Sequence, residues 1–343
     1  MLKIKHTLCP SCSVGCGINV VLNEGEIVGT FPYKRHPINA GKNCLNGKNS
    51  IDYYLNKFKK AIVSNHETDI DTAISDVSKE LNSIDSSSVT ILCLGNNSVE
   101  EIEAIKNFAE SKNYNIAFYA DDLKDFKEVA SYEEVANASS VFVIGDLLYE
   151  NPLIGRRIVH AKQKGAKVYA LGKSEKSVTF NIADETFNSS VQEFLNAIES
   201  KIDESSVIVF NYVDSKEDLD KLESIKCKVL PVFSNSNSKG TFDFVESKSL
   251  DEIVELLENT KALLVFDDVV DKLDYDFTRI SKLISFACCE NDTTKISDIV
   301  IPIKTWLEQD GSFVNAMGEV QNFSSVIESD NLSIIEIIDK LNE

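Results

Sequence analysis

From about residue 70 onward, short, continuously apolar runs alternate with stretches whose apolar positions recur at helical spacing. That spacing predicts helices over 70–84, 99–111 and 152–164. Between them lie the runs 89–94, 115–119, 140–144 and 166–170. The rhythm restarts near residue 200 with 207–210, 229–233, 263–266, 283–287 and 299–301. Runs that are apolar throughout, rather than at alternate positions, read as parallel strands covered on both faces. The first 60 residues differ. There 18–22 and 26–29 are short strands around an Asn23-Glu24-Gly25 turn, in a β-rich module. The expected class is α/β: a small β-rich N-terminal module (1–60), then two Rossmann-like doubly wound α/β units (61–200 and 201–343).

A length of 343 residues fits such an organisation. The formal net charge is −20, and it is unevenly spread. Residues 1–60 hold nine Lys/Arg against three acids, a balance of +6 that leaves −26 for the rest. A small basic module is attached to a large acidic body. This balance argues against nucleic acid and anionic membranes as partners. No apolar run approaches the roughly 18 residues of a membrane helix. The N-terminus shows no secretory h-region, so no membrane insertion and a cytoplasmic location are expected.

The candidate chemistry lies in the basic module. Cys9, Cys12, Cys16 and Cys44 follow the spacing C-x2-C-x3-C-x27-C. A cytoplasmic chain of this size does not need disulfides, so a metal site is the expectation. Three thiolates close in sequence can wrap one face of a cubane while a distant fourth closes it, which points to a [4Fe–4S] cluster. Structural zinc, which more often uses two separated cysteine pairs, is the alternative. The small residues Ser11, Ser13, Gly15 and Gly17 would let backbone amides approach the cluster sulfurs, and the basic surroundings would offset its negative charge.

Elsewhere the expectations are plainer. Cys93, inside an apolar run, and the adjacent Cys288 and Cys289 read as core. Asp121, Asp122 and Asp125 read as a solvated face. His36 either fixes the turn before Pro37 or modulates the cluster. Gly95 and Gly145 end strands without a G-x-G-x-x-G fingerprint, which gives little support to a dinucleotide site.

Several segments resemble molybdopterin oxidoreductases, and most of all the α subunit of methanogen formate dehydrogenases. They are Cys9-Pro-Ser-Cys-Ser-Val-Gly-Cys-Gly17 with Lys34-Arg-His-Pro37 and Gly41-Lys-Asn-Cys44; Glu150-Asn-Pro-Leu-Ile-Gly-Arg-Arg157 with Lys164-Gly-Ala-Lys-Val168; Ser238-Lys-Gly240; and Trp306-Leu-Glu-Gln-Asp-Gly-Ser-Phe-Val-Asn315 with Gly318-Glu-Val-Gln321. The resemblance implies an iron–sulfur module on Rossmann-like units and a molybdenum or tungsten pterin centre beside it. The chain departs from the family pattern at that centre. The family's metal-ligating Cys or selenocysteine, followed by His, has no counterpart in 119–128, and an Asp-Pro-Arg turn is replaced by Leu171-Gly-Lys-Ser174. The lysine that the family sets between cluster and pterin is Asn46 here. The chain ends soon after Gln321, where catalytic members continue into a pterin-clamping domain.

The resulting expectation is a [4Fe–4S] electron-transfer subunit of a larger oxidoreductase, without a Mo/W pterin of its own. Its partners would be other redox subunits of iron–sulfur, flavin, hydrogenase or F420 type. Two alternatives stand beside it: a catalytic formate dehydrogenase-type subunit whose missing domain lies on another chain, and a scaffold with a structural metal.

Overall fold

The structure is a computed structural model that describes residues 1–266 and 268–343. The N-terminal module is an antiparallel sheet of β1 (Leu2–Leu8), β2 (Gly17–Asn23) and β3 (Glu26–Pro32). Directly paired residues share a face. Ile18, Val20 and Leu22 of β2, with Ile27 of β3, are buried against Trp306, Phe313 and Phe323 of the body. The opposite face, with Leu2, Ile4, His6, Val21 and Phe31, turns outward. β1 escaped sequence reading because its Lys3, Lys5 and His6 break the apolar run of an edge strand.

The chain next lays down the hairpin β4 (Ala61–Val63) and β5 (His66–Thr68), then β6 (Val89–Cys93) and β7 (Asn115–Phe118). It leaves to build a five-stranded parallel sheet from β8 (Ser140–Ile144), β9 (Lys167–Leu171), β10 (Glu185–Phe187), β11 (Val207–Phe210) and β12 (Lys228–Pro231). It then returns with β13 (Ala262–Val265), β14 (Lys282–Ala287) and β15 (Ile299–Pro302), which complete a seven-stranded sheet in the order β5-β4-β15-β14-β13-β6-β7. A small hairpin, β16 (Gly311–Val314) and β17 (Val320–Phe323), precedes the helix Ile334–Asn342.

The two α/β units are therefore interleaved. The expected boundary at 200/201 does not match the pairing, because β11 lies beside β8 in the register Val207↔Val141 to Phe210↔Ile144. The inserted five-stranded unit closes only after β12, and β13 joins β6 of the host sheet. Apolar rhythm marks strands but does not say which strand is whose neighbour. A chain that returns to an earlier sheet looks the same in sequence as one that starts a new one.

The expected strands and helices are otherwise present within a residue or two. Helix Ile70–Ser83 is capped by Asp69, and Val99–Lys112 opens with a reciprocal Ser98–Glu101 capping box. Both sheets are covered on both faces. One core lies between them and includes Ile91, Cys93, Phe118, Phe142, Ile144 and Phe210. Cys93 is fully buried there, as expected. No helix among the described residues is long and apolar enough to cross a membrane.

Candidate cluster site and the adjoining cavity

The loop between β1 and β2 carries Cys9, Cys12 and Cys16, and Cys44 caps the short helix Leu45–Asn49. Cys9 N–H donates to the Cys16 carbonyl at 2.8 Å, closing the loop on itself. Distant segments hold its outer turns. Ser13 exchanges bonds with the Phe233 backbone, the Ala316 N–H donates to the Ser13 carbonyl at 2.7 Å, and buried Tyr132 donates its hydroxyl to the Val14 carbonyl at 3.0 Å. Gln321 donates to the Gly15 carbonyl at 3.1 Å. Gly15 has a φ of +74°, and a Cβ there would overlap the Gln321 side chain. Serine and glycine in this loop thus dock it to the body, and backbone amides also reach sulfur: those of Ser11 and Val14 hydrogen-bond the Cys9 and Cys12 sulfurs, and the Gly47 N–H donates to Cys44 Sγ at 3.4 Å.

All four cysteines are free and line one small void, together with Asn43, Asn46, Asn151, Pro152 and Leu153. Burial raises the Cys9 thiol, pushes Cys12 up to about 12, and lifts Cys16 well above its ordinary value. The Arg157 guanidinium opposes the shift at Cys16. Buried thiols of this kind persist as thiolates only beside compensating positive charge, which bound iron would supply. The residues therefore fit an iron–sulfur group. Arg157 is largely buried, donates to the Ile38 carbonyl at 2.9 Å and sits 3.5 Å from Glu133. It and Tyr132 were not foreseen as site residues. The only signal was the 150–157 stretch, which carried a resemblance but no assigned role.

His36 accepts from the Gly17 N–H at Nδ1 (3.2 Å), and burial lowers its pKa. It ties the Lys34–Pro37 turn to the residue that follows Cys16. A side chain at Gly17 would overlap the His36 ring. Asp121 and Asp125 are not a solvated face. The Asp121 carboxylate accepts from Ser234 N–H and Oγ at 2.7 Å each, and Asp125 pairs with Lys127 and Lys239. They fasten the crossing between the two α/β units.

A cavity of about 960 Å³ adjoins the module at the carboxyl ends of β6, β13, β14 and β15, the usual ligand position in α/β sheets. Ser11 and Asn46 border both this cavity and the cysteine void, so Asn46 stands between them. Cys288 and Cys289 also line the large cavity, half-buried, with their sulfurs 3.9 Å apart. Core packing was expected, but both lie past the end of β14, where strand alternation no longer applies. Among the described residues, none of segment 119–128 lines this cavity, and the buried Asn97 Oδ1 at its rim has no hydrogen-bond partner.

The site is thus a cysteine-bearing β module seated on two interleaved Rossmann-like units. Two family models match the chain: the molybdopterin oxidoreductase Fe4S4 domain over residues 2–56, and the molybdopterin oxidoreductase domain over residues 226–334. The chain thus carries matches to both the Fe4S4 and the molybdopterin domains of molybdopterin oxidoreductases. It is similar to the F420-dependent formate dehydrogenase 1 subunit alpha of Methanococcus maripaludis, 29% identical over 191 residues covering 50% of this chain and 28% of that one. To the F420-dependent formate dehydrogenase subunit alpha of Methanocaldococcus jannaschii it is 24% identical over 262 residues, 68% of this chain and 38% of that one. The matched stretches thus span well under two thirds of these relatives. Among solved structures, acetylene hydratase from Pelobacter acetylenicus superposes with a TM-score of 0.66 at 12% identity, covering 98% of this chain and 69% of that one. A chain of the formyltransferase/hydrolase complex (FhcABCD) from Methylorubrum extorquens gives 0.56 at 12% identity, covering 82% of this chain and 97% of that one. At that identity these likenesses show the fold alone. The Fe4S4 domain match supports an iron–sulfur cluster; the match over 226–334 gives no support to the expected absence of a pterin.

Proposed function

We propose that this chain is an electron-transfer subunit of a larger oxidoreductase assembly, with one [4Fe–4S] cluster held by Cys9, Cys12, Cys16 and Cys44. The observation that carries the reading is the placement of four free, mostly buried thiols around one void. When bound, the cluster supplies one-electron chemistry. The residues around it hold it in place and set its electrostatics. The body clamps the loop through Phe233, Ala316 and Tyr132, Gly47 offers an amide to Cys44 sulfur, and Arg157 favours the more negative state.

The zinc alternative asks for four sulfurs within about 2.3 Å of a single ion, whereas a cubane holds them apart at four corners. The four thiols stand around a void, an arrangement that suits the corners of a cubane. Anaerobic reconstitution tests the reading. About four irons per chain with a broad absorbance near roughly 400 nm supports it; one colourless zinc per chain refutes it.

A second reading, a catalytic subunit with a Mo/W pterin, is favoured by the molybdopterin domain match and by the large cavity beside the module. The charges lining that cavity weigh against it. Among the described lining residues, Asp52, Glu101, Asp268, Asp271 and Glu290 face Lys272 and Lys304, and Lys304 is paired with Glu336. Such a lining opposes a ligand that carries phosphates. Stoichiometric molybdenum or tungsten with pterin fluorescence after denaturation would establish the second reading over the first.

A further inference from the structure

We propose that Cys288 and Cys289 form a second metal site in this chain, a pair of adjacent thiolates that holds one zinc-class ion at the wall of the large cavity. The pair follows β14 directly, is half-buried, and lines the cavity with both side chains. The two sulfurs stand 3.9 Å apart. Two thiolates about 2.3 Å from one ion at the tetrahedral angle stand about 3.8 Å apart, so the pair already spans one edge of a tetrahedral site. An ion held linearly between two thiolates would need about 4.6 Å. A disulfide would need about 2 Å, across Cα atoms that one peptide sets about 3.8 Å apart, short of the roughly 4.4 Å at which disulfides usually begin. The separation as it stands suits a shared ion better than a bond between the sulfurs.

The backbone fixes the pair. The Phe58 N–H donates to the Cys288 carbonyl at 2.8 Å, and Lys57 bridges Cys289 as an antiparallel neighbour. Cys288 donates to Cys289, and that bond holds the Cys289 thiol below its ordinary value, against burial and the nearby Asp268 carboxylate. Cys289 is therefore the readier thiolate, and an arriving ion displaces the proton left on Cys288. A hydrogen-bonded thiol pair without metal has the same spacing, and the surrounding charge favours the ion. Among the described lining residues five are acids and two are lysines, one of them paired with Glu336. A lining of that sign draws cations in. Sulfur ligands select a thiophilic cation over magnesium or calcium. Two protein sulfurs leave the remaining positions to water or a small ligand in the cavity, as in open rather than structural zinc sites.

The test uses the full chain with iron and sulfide loaded at Cys9, Cys12, Cys16 and Cys44, so that those thiols do not compete. Zinc(II) is the probe, in anaerobic equilibrium dialysis. One zinc per chain is expected. Cys288→Ser with Cys289→Ser should weaken its binding about a hundredfold or more, and Cys288→Ser alone about tenfold or more, with iron content unchanged. Cys227→Ser, at a half-buried cysteine that does not line the cavity, should leave zinc binding as it was. Cadmium(II) in place of zinc should add a sulfur-to-metal charge-transfer band in the ultraviolet difference spectrum that the double variant lacks. Melting curves certify the fold of each variant. Phenylarsine oxide, which bridges two neighbouring thiols, asks the same question of the unaltered chain: one equivalent should abolish zinc uptake with iron retained. The proposal is overturned if the loaded chain binds no zinc, or if it binds zinc that neither the double substitution nor phenylarsine oxide disturbs. It is also overturned if mass spectrometry of anaerobically prepared protein finds the pair joined as a disulfide.

Discussion

Two cavities meet at Ser11 and Asn46, and they are built on different principles. The cysteine void is defined by ligand chemistry: four thiols on one short loop and one helix cap, clamped by backbone bonds from residues hundreds of positions away. The large cavity is defined by the fold, as the hollow that parallel strands leave at their carboxyl ends, and its lining is a miscellany of Asn, Asp and apolar groups. The first can be read from spacing. The second exists only once the sheet order is known. A family can therefore keep one site while the other drifts, because the scaffold preserves a hollow whatever lines it.

Cys12→Ser breaks this contrast most sharply. Iron is expected to fall from about four per chain to near zero, with loss of the absorbance near roughly 400 nm, while far-UV circular dichroism of the body persists. If the body unfolds as well, the metal is structural and the scaffold reading gains.

Lys57→Ala tests whether the module is seated independently of its cluster. Lys57 pairs with Glu308, whose side chain is buried in the body. Leaving that carboxylate alone should cost about 3 kcal/mol, read from denaturant midpoints. Burial pushes the Glu308 carboxyl up, but the Lys57 pair and bonds from Ser329 and Thr305 outweigh it and hold the pKa below its ordinary value. A depressed folded pKa gives stability that is complete above the unfolded carboxylate range and is lost as pH falls through the folded value. The melting advantage of the unaltered chain over Glu308→Gln should therefore hold at neutral pH and vanish in acid.

Smaller effects sharpen the electrostatics. Arg157→Gln removes a buried cation beside Cys16 and should lower the cluster potential by some tens of millivolts in spectroelectrochemistry, since the reduced cluster is the more negative one. Asn46→Lys restores a charge on the wall shared by the two cavities. It should raise the potential by less, because Asn46 is exposed and solvent screens it.

How far the sequence could be read follows from the same contrast. The four cysteines and most strands of both sheets were legible, because spacing and apolar runs are local properties. The edge strands β1, β5 and β10, and the three-residue β4 beside β5, were not, since short or charged strands lack the apolar signature. The interleaving of the units was hidden because strand pairing is not local. Cys288 and Cys289 were misplaced because their surroundings depend on where β14 stops. Arg157 and Tyr132 lie on helices far from residues 9–44, and nothing in their own neighbourhoods marks them as guardians of the loop.

The inserted five-stranded sheet has a consequence for how the molecule is made. Its strands β8 to β12 are contiguous and can assemble as soon as residue 231 is available. The host sheet holds β6 and β7 in waiting until β13 to β15 arrive, so its contacts span much longer separations in sequence. Long-range pairings of this kind form slowly and expose apolar edges meanwhile. The loop of Cys9, Cys12 and Cys16 is clamped partly by Phe233 at the edge of the early-forming sheet and partly by Ala316 and Gln321, which arrive last. The loop is thus clamped from both units, by contacts that the chain supplies far apart in sequence.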